Sequence, residues 1–277
     1  MLHIGLEKTG TTSFQAFCAD HRRDLAARGA LYPANPACFL HINHAPLAAS
    51  YFSAAQARAL LIAGRRVDRA QALAALSAEI ETADAPLTLL SAEHFSSRFD
   101  PGRIAQLGAD LAGFDASVAV VVRPPLARAR AAYATTVASG RAITLDAFVD
   151  ELCRPDNPYL RFRATLEPWA NVFGRERMIV VAYREGEDIV AALAKRLLPE
   201  GARPAGDYRR NVSPSRGETE RRRRANAGGV AGLWARLFSS PDRAAALSPD
   251  HIRRIEAATA ADLAWLESAY GVALAPI

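Results

Sequence analysis

A chain of 277 residues, half of them hydrophobic and 23% charged, can bury a large core and has the balance of a globular protein. No apolar run approaches the roughly 20 residues of a membrane span, and the first residues pass straight into a strand and loop with no signal-peptide pattern; a cytoplasmic protein is expected. The net charge of +5 favours anionic partners, and three scattered cysteines without a CxxC or zinc spacing argue for reduced thiols over a disulfide or metal framework.

The chain opens on a short apolar strand, Leu2-His3-Ile4, that runs into Gly5-Leu6-Glu7-Lys8-Thr9-Gly10-Thr11-Thr12-Ser13. Phe14, Phe17, Cys18, His21 and Leu25 then share one side of a helix that Gly29 can end. Leu31-Tyr32-Pro33 reads as a brief extended piece, and residues 34–50 as a proline-bearing loop with His41 and His44. Residues 54–83 suggest two helices broken near Gly64. Leu87–Ser91 reads as a buried strand. Ile104, Leu107, Leu111 and Phe114 mark a helix that starts near Pro101.

Val118–Val122 is the clearest strand: β-branched residues apolar on both faces, as in a parallel sheet covered on both sides. Helices follow at about 125–139 and 144–152, then one holding Leu166 and Trp169. A strand at 178–183, a helix at 186–198, an irregular basic stretch at 201–217 and two amphipathic helices (about 218–238 and 249–270) complete the chain. Strands separated by helices predict an α/β fold of three layers, a central parallel sheet flanked by helices. With no internal repeat and no convincing linker, the chain reads as a single domain, with a core of about 1–215 and a helical C-terminal part of about 216–277.

The opening loop is the feature most directly tied to chemistry. A glycine-bearing strand-to-helix turn with a lysine and several hydroxyls is how a backbone cradles a phosphate. Only Lys8 and Lys195 are lysines among 34 basic residues, so a compact point charge inside this loop stands out. Gly5 and Gly10 have the spacing of G-x-x-x-x-G-K-[ST], but Thr11 and Thr12 follow, so the usual lysine is absent. A nucleotide kinase also needs an apolar strand ending in an acid to hold magnesium; the strand at 118–122 ends in Arg123. Sulfuryl transfer fits a loop that binds an anion without a metal, because the moving group carries less charge than a phosphoryl group.

Four segments in order carry a family resemblance. Lys8-Thr9-Gly10-Thr11-Thr12-Ser13 resembles the 5′-phosphosulfate loop of bacterial sulfotransferases that use 3′-phosphoadenosine 5′-phosphosulfate (PAPS). Arg123-Pro124-Pro125-Leu126-Ala127-Arg128-Ala129-Arg130-Ala131-Ala132-Tyr133 resembles that family's 3′-phosphate motif, R-x-P-x-x-R-x-x-S-x-Y, with Ala131 in place of the serine. Leu89–Phe95 is similar to the segment facing the acceptor hydroxyl, and Tyr208-Arg209-Arg210-Asn211-Val212-Ser213 to the late basic loop at the 3′-phosphate end.

The resemblance implies a P-loop NTPase-like fold and PAPS as co-substrate, with no metal. It implies that Lys8 meets the bridging oxygen and 5′-phosphate, and that Thr9, Gly10, Thr11, Thr12 and Ser13 supply amides and hydroxyls. Arg123, Arg128 and Arg210 would hold the 3′-phosphate. The expected acceptor is a hydroxyl of a carbohydrate or small metabolite, with Glu93, His94, His41 and His44 as candidate bases. Glu93 comes first among them. Two alternatives stay open: a P-loop nucleotide kinase, and a non-catalytic anion- or nucleic-acid-binding protein suggested by the run Arg221–Arg224. The latter lacks the aromatic stacking pattern of single-strand binders, so no nucleic-acid partner is expected. The same arginine run also reads as a solvated helix face paired with Glu218 and Glu220.

Overall fold

The computed structural model describes residues 1–59, 68–184, 186–202, 208, 216–226 and 246–274. The expected helix break near Gly64, the basic residues Arg209 and Arg210 with Asn211, and the part of the helix expected at about 218–238 that follows Asn226, with Trp234, lie outside the described residues. The contacts divide the chain into two compact units: Met1–Val122 with Thr165–Arg210, and Arg123–Ala164 with Asn211–Ile277.

The first unit is built on a four-stranded parallel sheet flanked by helices. Its strands are β1 (Leu2–His3), β4 (Leu90–Ser91), β5 (Val118–Val122) and β6 (Met178–Ala182), in the spatial order β4-β1-β5-β6. Strand β1 is therefore internal, in register with Leu90-Ser91 on one side and Val118-Ala119 on the other. Every residue of β5 is fully buried, as its unbroken β-branched run requires. It pairs along its whole length with β6, Val118 opposite Met178 through Val122 opposite Ala182.

The segment expected as one strand at 87–91 serves two partners. Its first half, β3 (Leu87–Thr88), pairs with β2 (Ala30–Leu31), and its second half is β4. Successive amides on an extended chain point to opposite edges, and here they find different neighbours. The Leu89 N–H donates to Leu31 O at 2.9 Å, and the Leu90 N–H to Met1 O at 2.9 Å.

Helices α1 (Thr11–Asp20) and α2 (Arg22–Ala27) replace the single helix expected over Phe14–Leu25, with the interruption at His21. The predicted inward face holds: Phe14, Phe17, Cys18 and Leu25 are all buried. The stretch expected as loop contains α3 (Ala45–Ala49), opened by Pro46 in its first turn. Helices α4 (Ala54–Ala59), α5 (Arg69–Ala83), α6 (His94–Arg98) and α7 (Pro101–Asp110) follow. Helix α7 ends at Asp110, so Phe114 falls past its buried face and is exposed.

Helix α10 (Phe162–Phe173) places Trp169 in the core, stacked on Phe99 at 6.1 Å and Phe173 at 5.8 Å between ring centroids. Helix α11 (Ile189–Leu197) is capped by Asp188, whose side chain accepts from Val190 N and Ala191 N.

The second unit is helical where described. It holds α8 (Pro125–Ala138), α9 (Leu145–Cys153), α12 (Arg216–Asn226) and α13 (Pro249–Tyr270). Leu126, Tyr133, Val137, Phe148, Val149 and Ile255 form its core. On α12, Glu220 pairs with Arg223 and Arg224, and Glu218 with Arg222, as the solvated-face reading expects.

Replacing the buried, doubly stacked Trp169 with alanine is expected to cost about 3–5 kcal/mol in urea unfolding, the scale of a lost core aromatic. The half-exposed Val172 on the same helix should tolerate alanine within about 0.5 kcal/mol. Equal costs at the two positions would refute the placement of the core.

Candidate functional site

Sheet order fixes where this site lies. The chain leaves β1 for β4 on one side and then crosses to β5 on the other, so β1 and β5 flank a point where the winding reverses. Ligands of open α/β sheets bind outside the carboxyl ends of such strands. The end of β1 continues into Ile4, Gly5 and Leu6, all buried.

The loop closes by two left-handed residues and two hydroxyls. Lys8 has φ 66 and Gly10 φ 84. The Thr9 hydroxyl donates to Leu6 O at 2.6 Å, and the Thr11 hydroxyl to the same carbonyl at 3.3 Å. Both threonines are buried, so their side chains fix the loop from inside, whereas Lys8 is exposed. Gly10 occupies the N-cap position of α1 with no side chain capping it, and the first turn carries no acid. That leaves the positive end of a ten-residue helix without a protein anion in its first turn. Thr12 and Ser13 lie in this turn.

The glycines are there for space. A Cβ on Gly5 would lie 2.5 Å from Thr11 Cγ2, and one on Gly10 would lie 2.5 Å from Ile189 Cγ2.

Glu93 and His94 stand at the start of α6. The extended chain of β4 does not continue into them. Glu93 is instead in the helical region, at φ −70, as the N-cap residue. Ser96, one turn on, ties α6 to the loop: its hydroxyl bonds Gly5 O at 2.7 Å and Glu93 O at 3.0 Å. Burial, reinforced by the Glu7 carboxylate, raises the pKa of Glu93 against the opposing pull of Lys8 and Arg98. Burial and Arg98 lower that of His94, while Glu7 works the other way. Among the described residues the buried Nδ1 of His94 meets no hydrogen-bond partner. Lys8, Glu93 and His94 thus belong to one electrostatic neighbourhood.

Glu7 also belongs to that neighbourhood and is not among the site residues expected from the sequence. The available signal was its position, an acid directly before the one lysine of the loop.

The two loop histidines separate. His41 is exposed at φ 54. His44 is fully buried and its ring is engaged on both sides. The Ser91 N–H donates to Nδ1 at 3.0 Å, which leaves Nε2 to donate to Pro33 O at 3.1 Å. Ser91 Oγ bonds His3 Nδ1 at 2.8 Å and accepts from Gln15 Nε2 at 3.1 Å.

In the second unit, Arg123 is half-buried and Arg128 is buried, its guanidinium 4.2 Å from the Tyr159 ring centroid. Ala131 and Tyr133 are buried, and the Tyr133 hydroxyl donates to Ile143 O at 3.3 Å. Arg210 lies outside the described residues. Tyr208 is described in the first unit, where its hydroxyl is 3.1 Å from His21 Nδ1.

Among the described residues no group of three or more His, Cys, Asp or Glu side chains could hold a metal ion. No described helix is long and apolar enough to cross a membrane.

Two outcomes follow from this geometry. Gly10→Ala should cost roughly 2–4 kcal/mol in urea unfolding, combining a left-handed backbone with a steric clash; a neutral substitution would refute the loop geometry. His3 and His44 are both held near pKa 4 by burial, below the ordinary 6.5. The unfolded chain therefore binds protons first as pH falls. Stability should be full above about pH 6.5 and decline towards pH 4, by about 1.4 kcal/mol per pH unit for each ring. Unfolding midpoints from pH 7.5 to 5 check this, and His44→Asn should flatten the slope.

No protein-family model, curated protein or solved structure matches the chain.

Proposed function

We propose that this chain is a PAPS-dependent sulfotransferase of P-loop-like fold that moves a sulfuryl group to an acceptor hydroxyl, of a carbohydrate or small metabolite, and releases the 3′,5′-bisphosphate PAP. The observation that carries the reading is the uncapped α1 start behind the left-handed Lys8, with Glu93 held within its electrostatic reach.

The donor set fits a phosphosulfate. The first-turn amides of α1 and the ammonium of Lys8 offer hydrogen bonds and positive charge to a 5′-phosphate. Thr9 and Thr11 hold the loop in shape through Leu6 O. In the reaction the acceptor oxygen bonds to sulfur as the bond from sulfur to the bridging oxygen breaks. Glu93 takes the hydroxyl proton, and Lys8 stabilises the negative charge that develops on the departing phosphate. An acid whose pKa is raised by burial is a stronger base than an ordinary carboxylate, provided it is ionised at the working pH.

Arg123, Arg128 and Arg210 are assigned to the 3′-phosphate on the family resemblance. Arg128 also has a packing duty against Tyr159, so Arg123 is the cleaner test.

Isothermal titration with PAP is expected to show saturable binding without magnesium. Arg123→Ala should weaken it by about 1.5–3 kcal/mol, the scale of a charge-assisted contact. Lys8→Ala and Glu93→Gln should each cut transfer from PAPS by roughly a hundredfold or more. The wild-type rate should rise with pH as Glu93 loses its proton, and Glu93→Gln should lose that limb. Absence of PAP binding together with magnesium-dependent ATP turnover would replace this reading with that of a nucleotide kinase, whose glycine spacing Gly5–Gly10 also has.

A further inference from the structure

We propose that His44 is a positioning residue: its neutral imidazole and backbone clamp Ser91 at the end of β4, and so set where Glu93 and His94 stand beside the Lys8 loop. The inference rests on the proposed role of Glu93 as the base.

The clamp is made at three points. The His44 N–H donates to Ser91 O at 2.9 Å, and the Ser91 N–H returns a bond to His44 Nδ1 at 3.0 Å. On the other face of the residue, Ser91 Oγ is held by His3 and Gln15. All three polar groups of Ser91 are thus satisfied inside the core. The His44 ring is itself fixed. Nε2 donates to Pro33 O, and the edges of Tyr32 and Phe39 pack on it at centroid distances of 4.9 and 5.3 Å.

Only Ala92 separates Ser91 from Glu93. Ala92 is fully buried, and its N–H donates to His3 O at 3.2 Å. The strand end therefore has little freedom to pass a displacement to anything but Glu93 and α6. A second anchor, Ser96 to Gly5 O, fixes α6 from the far side.

The clamp works with one tautomer only. A proton on Nδ1 would face the Ser91 N–H, donor against donor, and break the bond. The charged or titratable groups bearing on His44 are Arg22, whose charge opposes protonation, and Tyr32; His3 lies beyond Ser91. Such a requirement is more than packing needs, since an apolar ring would fill the same space.

The test uses the full chain without ligand. Hydrogen exchange is followed over residues 87–95, and the Glu93 carboxyl is titrated by carbon NMR, assigned by its loss in Glu93→Gln. In His44→Phe, exchange at 90–94 is expected to speed up roughly tenfold or more, and the Glu93 midpoint to fall by about half a pH unit or more towards the ordinary carboxylate range. His44→Asn, which keeps an acceptor for the Ser91 N–H, should recover most of both. A folded His44→Phe with unchanged exchange and an unchanged Glu93 midpoint overturns the proposal. Should His44→Phe not fold, nitrogen NMR of the wild-type ring decides: the neutral Nε2–H tautomer at pH 7 supports the clamp, and any other form overturns it. PAP binding by the wild-type protein is read separately, so failure of the sulfotransferase reading leaves a distinct result.

Discussion

The first unit depends on the insertion of β1 between β4 and β5. A strand of two residues can be held only if both its edges are paired, and each is. Leu2 N–H and Ile4 N–H donate to Ser117 O and Ala119 O, at 2.7 and 2.9 Å, while Met1 O and His3 O accept from Leu90 and Ala92. With its edges committed, the chain leaving β1 has to turn at once. Gly5 allows the turn to pass close to Thr11, and Gly10 supplies the left-handed step that starts α1. The loop is thus a consequence of the sheet, and its two inward hydroxyls replace the backbone partners that Leu6 O would otherwise lack.

The same pairing delivers the acid to the loop. Strand β4 lies along β1, so the residues after Ser91 emerge beside those after His3. On the sign of the Glu93 shift, two effects compete. The charges of Lys8 and Arg98 favour the carboxylate, whereas burial and Glu7 favour the protonated form, and burial is the larger effect. An exposed lysine is screened by water and cannot offset the desolvation of a largely covered carboxyl. The outcome is an acid more ready to hold a proton, next to an exposed lysine.

Much of this was legible in the sequence, for reasons that also mark the limit. Val118–Val122 and Met178–Ala182 are apolar on both faces, as strands of a parallel sheet covered by helices on both sides need. The opening loop was legible because glycine spacing and a rare lysine are local facts. The sharing of Leu87–Ser91 between two neighbours was hidden, since periodicity records that a segment is extended and not which strand takes each amide. The engagement of His44 is hidden for the same reason: a histidine in a proline-bearing stretch shows nothing of Ser91, 47 positions away, whose backbone occupies its ring. Nor does composition reveal two units, because the boundary at Val122–Arg123 falls directly after a strand and the second unit returns after Arg210, so no linker marks it. Nor does the apolar strand before Glu93 and His94 show that helix α6 starts as soon as the pairing with β1 ends.

Lys8 gathers these constraints into one residue. A non-glycine residue in the left-handed region costs roughly 1–2 kcal/mol, and a sequence selected for stability alone would favour glycine or asparagine there. The chain holds Lys8 at φ 66 between Glu7 and the buried Thr9, so the surrounding bonds impose the conformation. His41 and Asp84 are the other described non-glycine residues at positive φ. Strain at Lys8 differs by its place: it projects one of only two lysines in the chain from the loop that starts α1. A backbone that accepts this cost for a lysine, where glycine would relieve it, supports the role proposed for its ammonium.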